Sequence, residues 1–191
     1  MILIIFCFKS ILMELIKELL PKVYLFSLNK TEDIRGDFLK IYNLNELGKY
    51  NINFIPNECY ISTSSLNVIR GMHYQISKFS HDKLVSCFKG RVLDVIVDVR
   101  KNSKNYNKPV SCILSSDSPQ AIFIGKGYAH GFLSLKENSE MSYLTSTVYD
   151  PSSDCGVLWS SINFNWPIEN PILSDRDKLH PLLGNHKCEF F

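Results

Sequence analysis

Two of the five histidines in this sequence are the best candidates for acid–base chemistry near neutral pH. His73 follows the pair Arg70-Gly71, and His130 follows the glycine-rich turn at residues 125–127. A functional role is favoured for both because each has a glycine-rich approach on a predicted strand, with a face of hydroxyl groups nearby. The alternative is a structural histidine with satisfied ring nitrogens, which is the commoner use of a lone histidine in a strand.

The face of hydroxyl groups belongs to a strand predicted over residues 140–149. Side chains two positions apart point to the same side of a strand. The residues that share this face are Tyr143, Thr145, Thr147 and Tyr149. Two phenols and two hydroxyls are unusual for a dry core and suit the lining of a polar barrel that holds a ligand. A solvated outer face is the alternative that the pattern leaves open.

Short β-strands are the elements that must position these side chains. Most of the chain breaks into runs rich in Val, Ile, Phe, Tyr and Thr, punctuated by Gly, Asn, Ser and Pro, which predicts an all-β sandwich or barrel. A β-hairpin is predicted at residues 83–100, where two such runs flank the two-residue connection Lys89-Gly90. A second unit of strands is predicted over residues 121–149, with a tight turn at 125–127.

Helical signals are weak. They are confined to residues 13–20, to residues 44–50, and to a capping box at residues 174–177 that opens a short helix. The tail at residues 165–183 is rich in Pro, Asn and Asp, and we expect it to wrap over the barrel.

The composition is that of an ordinary globular protein, with 45% apolar residues. Lys and Arg number 21 against 19 Asp and Glu, a formal net charge of +2, and the basic residues are scattered, which argues against nucleic acid as a partner. A few convergent cations would still suffice to hold a diphosphate. The six cysteines show no CxxC pair and no zinc-ligand spacing, so we expect free thiols in a reducing cytoplasm.

The N-terminal segment is apolar but short. Residues 1–13 fall below the roughly 20 residues that a membrane-spanning helix needs, and they lack the basic start and cleavage site of a signal peptide. We therefore expect a non-functional leader at residues 1–12, with Met13 as an equally good start, and a single domain over residues 13–191. A membrane anchor is the alternative, and no membrane partner is expected.

Six motifs occur along the chain in a specific order and spacing. They are Arg35-Gly36, Arg70-Gly71-Met72-His73-Tyr74-Gln75, Lys83-Leu84-Val85, Gly90-Arg91-Val92-Leu93-Asp94-Val95, Gly127-Tyr128-Ala129-His130-Gly131-Phe132 and Leu173-Ser174-Asp175-Arg176-Asp177. Together they resemble the dTDP-4-dehydrorhamnose 3,5-epimerase family over residues 23–183. The resemblance implies a cupin-like jelly roll, a homodimer, and a nucleotide-linked 4-keto-6-deoxy sugar as the substrate, in a surface polysaccharide pathway.

The reaction of that family needs a base, a cation and an acid. The C3 and C5 hydrogens flank a C4 ketone, so removal of either gives an enolate that must be reprotonated from the other face. The resemblance implies His73 as the base, oriented and made more basic by Asp177, with Lys83 stabilising the enolate and Tyr143 as the acid. The alternatives are a capping-box role for Asp177, a solvated strand-end position for Lys83, and a core aromatic with a satisfied hydroxyl for Tyr143.

The resemblance also implies which side chains bind the substrate. They are Arg35 and Arg70 on the diphosphate, His130 and Tyr149 in the sugar pocket, and Glu58, Tyr60 and Gln75 in the surrounding recognition region. Asp94 is expected to be structural, with orientation of His130 as its alternative role. The chain departs from the family at Lys40, where an acidic residue is common, and at Thr31, where an aromatic is common. These departures leave the nucleotide open among dTDP, GDP and CDP.

We expect no metal and no cofactor. Metal-binding cupins place two histidines one residue apart in their first motif, and here Gln75 stands where the second would be. The alternative functions are a single-centre epimerase acting at C3 or C5, a non-catalytic cupin that binds a sugar nucleotide, and a metal-dependent cupin isomerase or oxygenase.

Overall fold

A computed structural model describes residues 13–188 and 190 of the chain. Strands dominate this part. They are β1 (Met13–Leu20), β2 (Val23–Leu28), β3 (Lys30–Asp33), β4 (Gly36–Leu39), β5 (Glu58–Ser64), β6 (Ile69–Gln75), β7 (Lys83–Lys89), β8 (Arg91–Asp98), β9 (Pro109–Ser115), β10 (Gln120–Ile124), β11 (Tyr128–Ser134), β12 (Ser139–Thr145) and β13 (Asp154–Gly156). The helices are α1 (Leu44–Gly48) and α2 (Asp175–Lys178), with 3-10 turns at Trp159–Ser161 and Leu183–Asn185.

Two large sheets form the body of the protein. The first has the strand order β1-β2-β10-β7-β12-β5, and the second has the order β13-β6-β11-β8-β9. Their facing sides share one apolar core, in which Val85 and Ile122 of the first sheet meet Ile96 and Phe132 of the second. The β-branched and aromatic residues that mark the strands in the sequence supply this core. The expected all-β, cupin-like jelly roll is therefore confirmed.

Both sheets are also covered on their outer sides. Val95 and Val97 of β8 pack against Val157 and Leu183 of the tail, which agrees with the expectation that the tail wraps over the barrel. The outer side of the first sheet packs against the region of α1, through Leu47 among others. As a result, both faces of β8 are buried, including Asp94 and Asp98.

The prediction of helix at residues 13–20 is wrong. These residues form β1, which pairs antiparallel with β2 from Met13 opposite Leu28 to Leu20 opposite Val23. The neighbouring strand satisfies the backbone groups of β1, so tertiary pairing overrides a weak local helical signal. The short helix predicted near residues 44–50 is confirmed as α1, with Asn43 as its N-cap.

The hairpin predicted at residues 83–100 is also wrong, because its turn joins strands of different sheets. β7 pairs with β10 and β12, whereas β8 pairs with β9 and β11. Lys89-Gly90, with Gly90 at φ +83°, and the turn at residues 125–127 therefore carry the chain across the barrel. A tight connection fits a crossing between packed sheets as well as a hairpin, and local sequence does not separate the two.

The remaining sequence predictions are tested only in part. The leader expected at residues 1–12, and with it Cys7, lies outside the described residues. None of the helices in the described part of the chain has the length and apolar character of a membrane span. Free thiols are confirmed for Cys59, Cys87, Cys112 and Cys188.

Candidate active site

The space between the two sheets opens into a cavity of about 420 Å³. Its wall is formed by Glu58, Tyr60, Ser62, Arg70, His73, Tyr74, Gln75, His81, Lys83, His130, Phe132, Tyr143, Thr145, Tyr149, Asp154 and Arg176. Nine of the eleven site residues predicted from sequence lie in this wall. The two others are Asp177, which lies behind His73, and Arg35, which is elsewhere on the protein.

Close contact between β6 and β11 places two histidines side by side. His73 and His130 are direct partners in the register of these antiparallel strands. Gly71 has a φ of +128°, and a Cβ at this position would lie 2.6 Å from the Cα of Gly131. Glycine is therefore needed at Gly71, which gives a physical reason for the glycines that accompany both histidines in the sequence.

His73 is paired with a carboxylate from the tail. Its Nε2 lies 2.7 Å from Oδ1 of Asp177, and the backbone N–H of Gly71 donates to Oδ2 of the same carboxylate at 3.2 Å. Asp177 belongs to α2, whose N-cap Ser174 accepts a hydrogen bond from the Asp177 backbone N–H. The helix is therefore capped as predicted, but the carboxylate of Asp177 is directed to His73 rather than back to the cap.

Burial sets the charge states of this pair. Burial lowers the pKa of His73 below its ordinary value, although Asp177 acts in the opposite direction. Asp177 thus makes His73 more basic, as the resemblance implies, but desolvation outweighs this contribution. Burial alone would raise the pKa of Asp177, but its contacts with His180, His73 and the Gly71 N–H hold it well below its usual range. At neutral pH an uncharged imidazole faces a charged carboxylate.

Lys83 projects from the first sheet and reaches the second. Its Nζ donates to the backbone oxygen of His73 at 3.1 Å, and the residue is buried. Burial lowers the pKa of Lys83 to about 8. The alternative of a solvated strand-end lysine is excluded, and the ammonium group lies beside the candidate base.

Tyr143 stands on β12 of the first sheet and is 7% exposed. Its ring stacks on Tyr60 of the adjacent strand, with centroids 4.7 Å apart, and meets His130 edge to face at 6.1 Å. Burial raises the pKa of the Tyr143 phenol well above its ordinary value, so the group keeps its proton. The predicted hydroxyl face ends with β12 at Thr145, and Thr147 instead donates to the backbone oxygen of Phe79 at 2.8 Å.

His130 is held by a buried carboxylate. Its Nε2 lies 2.8 Å from Oδ2 of Asp94, and both side chains are at most 4% exposed. Asp94 is therefore structural and also orients His130, so both roles considered from sequence are present in one contact.

The loop at residues 148–150 is fixed by Gln75 and Glu58. The Gln75 Oε1 accepts from the backbone N–H of Asp150 at 2.7 Å, and its amide nitrogen donates to the Val148 oxygen at 3.1 Å. Glu58 accepts from the backbone N–H of Tyr149 at 3.0 Å. Gln75 thus has protein partners on both sides of its amide and acts by holding the loop that presents Tyr149.

The two arginines predicted to bind diphosphate lie in different places. Arg70 lines the cavity, with its Nε donating to the Ser64 hydroxyl at 2.9 Å. Arg35 lies at the turn of the small β3–β4 sheet, where its side chain is 85% exposed and paired with Asp33. Within the described single chain, Arg35 takes no part in the cavity wall.

Among the residues at or near the cavity that sequence reasoning missed are Arg176, Asp154 and His180. Arg176 lines it and pairs with Asp154 at 2.8 Å, and His180 lies against Asp177 at 3.4 Å. Arg176 adjoins Asp177 in the tail motif, which was a usable signal. His180 and Asp154 carry no local signal, because only the docked tail and the short strand β13 bring them to the site.

Chemically, the arrangement fits proton transfer on a carbon acid. An uncharged imidazole from the second sheet and a protonated phenol from the first line the same space, with an ammonium group beside the imidazole. A ring held between the sheets would therefore meet a base on one face, an acid on the other, and a cation for a developing oxyanion.

The chain is similar in sequence to a known protein family and its members. The family described as dTDP-4-dehydrorhamnose 3,5-epimerase matches residues 17–185. The chain is 38% identical over 170 residues to the dTDP-4-dehydrorhamnose 3,5-epimerase of Shigella flexneri, a match that covers 86% of this chain and 93% of that protein. It is 41% identical over 152 residues to the protein of the same description from Escherichia coli K12, covering 76% and 81%.

Solved structures of epimerases are similar to this chain in fold. The crystal structure of dTDP-4-dehydrorhamnose 3,5-epimerase from Bacillus anthracis, with TDP and PPi bound, superposes with a TM-score of 0.85 at 32% identity, covering 89% of this chain and 99% of that one. The epimerase from Legionella pneumophila in complex with dTDP-4-keto-L-rhamnose gives a TM-score of 0.85 at 29% identity, covering 91% and 94%.

Proposed function

The chain belongs to the dTDP-4-dehydrorhamnose 3,5-epimerase family. We propose how the side chains of its cavity invert the configuration at C3 and C5 of a dTDP-linked 4-keto-6-deoxy sugar. The protein is an isomerase of dTDP-deoxysugar biosynthesis. The assignment of steps to individual side chains is our own, and it depends on the hydrogen bond between His73 and Asp177 at the cavity wall.

His73 removes the proton. Because Nε2 donates to Asp177, the lone pair of Nδ1 is free to accept a proton from C3 or C5. The carboxylate of Asp177 stabilises the imidazolium that forms. The electron pair of the broken C–H bond is delocalised onto the C4 oxygen, which gives an enolate. The ammonium group of Lys83, which donates to the backbone oxygen of His73, stabilises the enolate oxygen.

Tyr143 returns a proton to the opposite face of the ring. It stands on the first sheet and His73 on the second, so a sugar between the sheets has the two groups on opposite sides. The phenol donates to carbon, the enolate collapses to the ketone, and the configuration is inverted. Proton exchange with solvent then restores both side chains for the second centre.

The experiment that tests this function is incubation with dTDP-4-keto-6-deoxyglucose in D2O, followed by mass spectrometry. Two deuterons gained per sugar, with conversion to the 3,5-inverted product, are expected. One deuteron would instead identify a single-centre epimerase, and none with the dTDP, GDP or CDP sugar would identify a non-catalytic binding protein. Parallel reactions with GDP- and CDP-linked sugars are expected to be slower, because the relatives with bound nucleotide carry TDP or a dTDP sugar.

The pH dependence of kcat/KM follows from the two shifted groups. The base must be unprotonated, so activity rises with pH through the pKa of His73, which burial places below the ordinary value of about 6.5. Lys83 must be protonated, so activity falls as the pH passes about 8. A bell-shaped profile with its plateau near neutral pH is expected from initial rates in chelator-treated buffer.

The alkaline limb is assigned with the K83M variant. Loss of the cation is expected to lower kcat about 100-fold, the effect of removing one oxyanion donor, and to abolish the fall near pH 8. A K89M variant removes an exposed lysine paired with Glu140 outside the cavity wall and serves as the matched control. An alkaline limb that persists in K83M would assign the titration to another group.

We also propose that the protein acts as a homodimer in which Arg35 serves a neighbouring copy. Arg35 lies on an exposed hairpin with Ile34 and Phe38, which are 104% and 55% exposed. An R35A variant is expected to raise KM about tenfold with little change in kcat, since a charged hydrogen bond contributes about 1.5–3 kcal/mol. R91A removes an exposed arginine of β8 as the control, and light scattering gives the mass. An unchanged KM in R35A would remove Arg35 from the binding site.

A further inference from the structure

Asp177 is approached by two imidazoles rather than one. The Nε2 of His180 lies 3.4 Å from Asp177 Oδ1, the same oxygen that lies 2.7 Å from Nε2 of His73. The two rings pack edge to face, with centroids 5.4 Å apart. One ligand-type atom from each of the three side chains lies within 4.8 Å of the other two. The cluster therefore brings two nitrogens and one oxygen within the distance of one another that a single ion could span.

The Nε2 atom of His180 has no hydrogen-bond partner among the described residues. The side chain is 10% exposed, and this nitrogen is buried. The 3.4 Å separation from Asp177 is too long for a strong charge-assisted hydrogen bond. The ring is fitted closely into its position, because a Cβ on Gly156 would clash with its Cε1 and Nε2. A buried ring nitrogen aimed at a carboxylate without a good bond requires an explanation.

We propose that His73, Asp177 and His180 form a binding site for one divalent ion of the zinc class. Imidazole nitrogen and carboxylate oxygen are typical zinc ligands, and two histidines with one carboxylate leave a fourth position for water. Ligands bound at about 2.0–2.1 Å to a tetrahedral ion lie roughly 3.3 Å apart. The separation between His180 and Asp177 already matches this spacing, and that between His73 and Asp177 lengthens as the ion replaces the hydrogen bond.

The surroundings orient the carboxylate and leave a path for the ion. The Gly71 N–H holds Oδ2 of Asp177 and leaves Oδ1 to the two imidazoles, an orienting contact typical of metal ligands. Arg176, which adjoins Asp177 in the chain, is paired with Asp154 at 2.8 Å. The side chain of His73 is 28% exposed, so an ion can enter from the cavity.

Metal binding at this site opposes the reaction. An ion on Nε2 of His73 moves the ring proton to Nδ1, the atom that receives the substrate proton, so no lone pair is left on the base. The ion also takes the Asp177 oxygen that stabilises the imidazolium. Bound metal therefore inhibits turnover; this consequence rests on the proposed function, whereas the binding itself rests only on the geometry.

The test is a titration of the chelator-treated protein with Co²⁺, read by the visible d–d absorption of the bound ion, with Zn²⁺ as the displacing ion. We expect one Co²⁺ per chain and at least a 100-fold weaker affinity in H180A, since loss of a first ligand exceeds the 10- to 100-fold cost typical of second-sphere changes. H180N keeps the size of the side chain and is expected to behave as H180A. H81Q removes another imidazole of the cavity wall and is expected to bind as the wild type.

The absorption is read without substrate, so the result does not depend on turnover. Wild-type protein that binds no Co²⁺, or H180A and H180N that bind it as tightly as the wild type, would overturn the site. Inhibition by Zn²⁺ is measured separately by deuterium uptake, and it is expected to weaken in H180A in parallel with the loss of affinity. If Co²⁺ binds but no deuterium is ever taken up, the metal site stands and the proposed function fails.

Discussion

The H73N variant is expected to lose deuterium uptake at both C3 and C5, with a fall in rate of about 10,000-fold, the upper range for loss of a general base. One imidazole serves both centres, because His73 is the cavity histidine that is paired with the ionised Asp177. Asparagine keeps much of the size of the side chain and can still hydrogen-bond to the carboxylate. Mass spectrometry of the recovered sugar after incubation in D2O measures the loss directly.

The matched control for H73N is H81N. His81 lines the same cavity, and its Nδ1 is hydrogen-bonded to Gln75 at 3.0 Å. H81N is expected to take up two deuterons at near the wild-type rate, and both variants should unfold at the same temperature as the wild type. Uptake at either C3 or C5 in H73N at the wild-type rate would show that His73 is not the common base.

The Y143F variant is expected to separate proton exchange from inversion. His73 still removes the proton, but without the phenol the enolate is reprotonated by the same imidazole from the same face. Deuterium therefore enters with retained configuration, while formation of the inverted product falls about 1,000-fold, within the range for loss of a general acid. NMR of the sugar in D2O distinguishes retention from inversion, and mass spectrometry counts the deuterons.

Y60F serves as the matched control for this variant. Tyr60 stacks on Tyr143 with centroids 4.7 Å apart, and burial raises its pKa to about 12. It lines the same cavity, so Y60F removes a phenol of similar environment from the adjacent strand. Y60F is expected to change KM and to leave inversion intact. Inversion at the wild-type rate in Y143F would assign the acid to another group, and loss of inversion in Y60F would point to Tyr60.

The chemistry of the site could be predicted from sequence better than the topology that builds it. His73, Lys83 and Tyr143 stand in local motifs, and all three line one cavity. The strand that begins at Lys83 was predicted to pair with the next strand, which is wrong, because a two-residue connection such as Lys89-Gly90 has the same local signal in a hairpin and in a crossing between sheets. Pairing is decided by which apolar faces meet in the core, and that information is spread over the whole chain.

The charge state of His73 also could not be predicted from the sequence. The proximity of Asp177 predicts a more basic His73, but the extent of burial determines the net direction, and burial depends on how the tail covers β6. His180 was missed for a related reason. It has no motif of its own, and only the docking of α2 brings it to the oxygen that His73 uses.

The carboxylate of the catalytic pair comes from the tail, 104 positions along the chain from His73. None of the strands of the barrel carries it; α2 delivers it by packing on β6. A molecule whose tail has come loose keeps the cavity, the lysine and the phenol, but its imidazole has no orienting partner. The fraction of active molecules is therefore set by a local docking equilibrium of the tail. The free energy of this local opening is smaller than the free energy of unfolding of the whole barrel. Among molecules whose β-sheets are folded, specific activity thus reports the fraction in which the tail is docked.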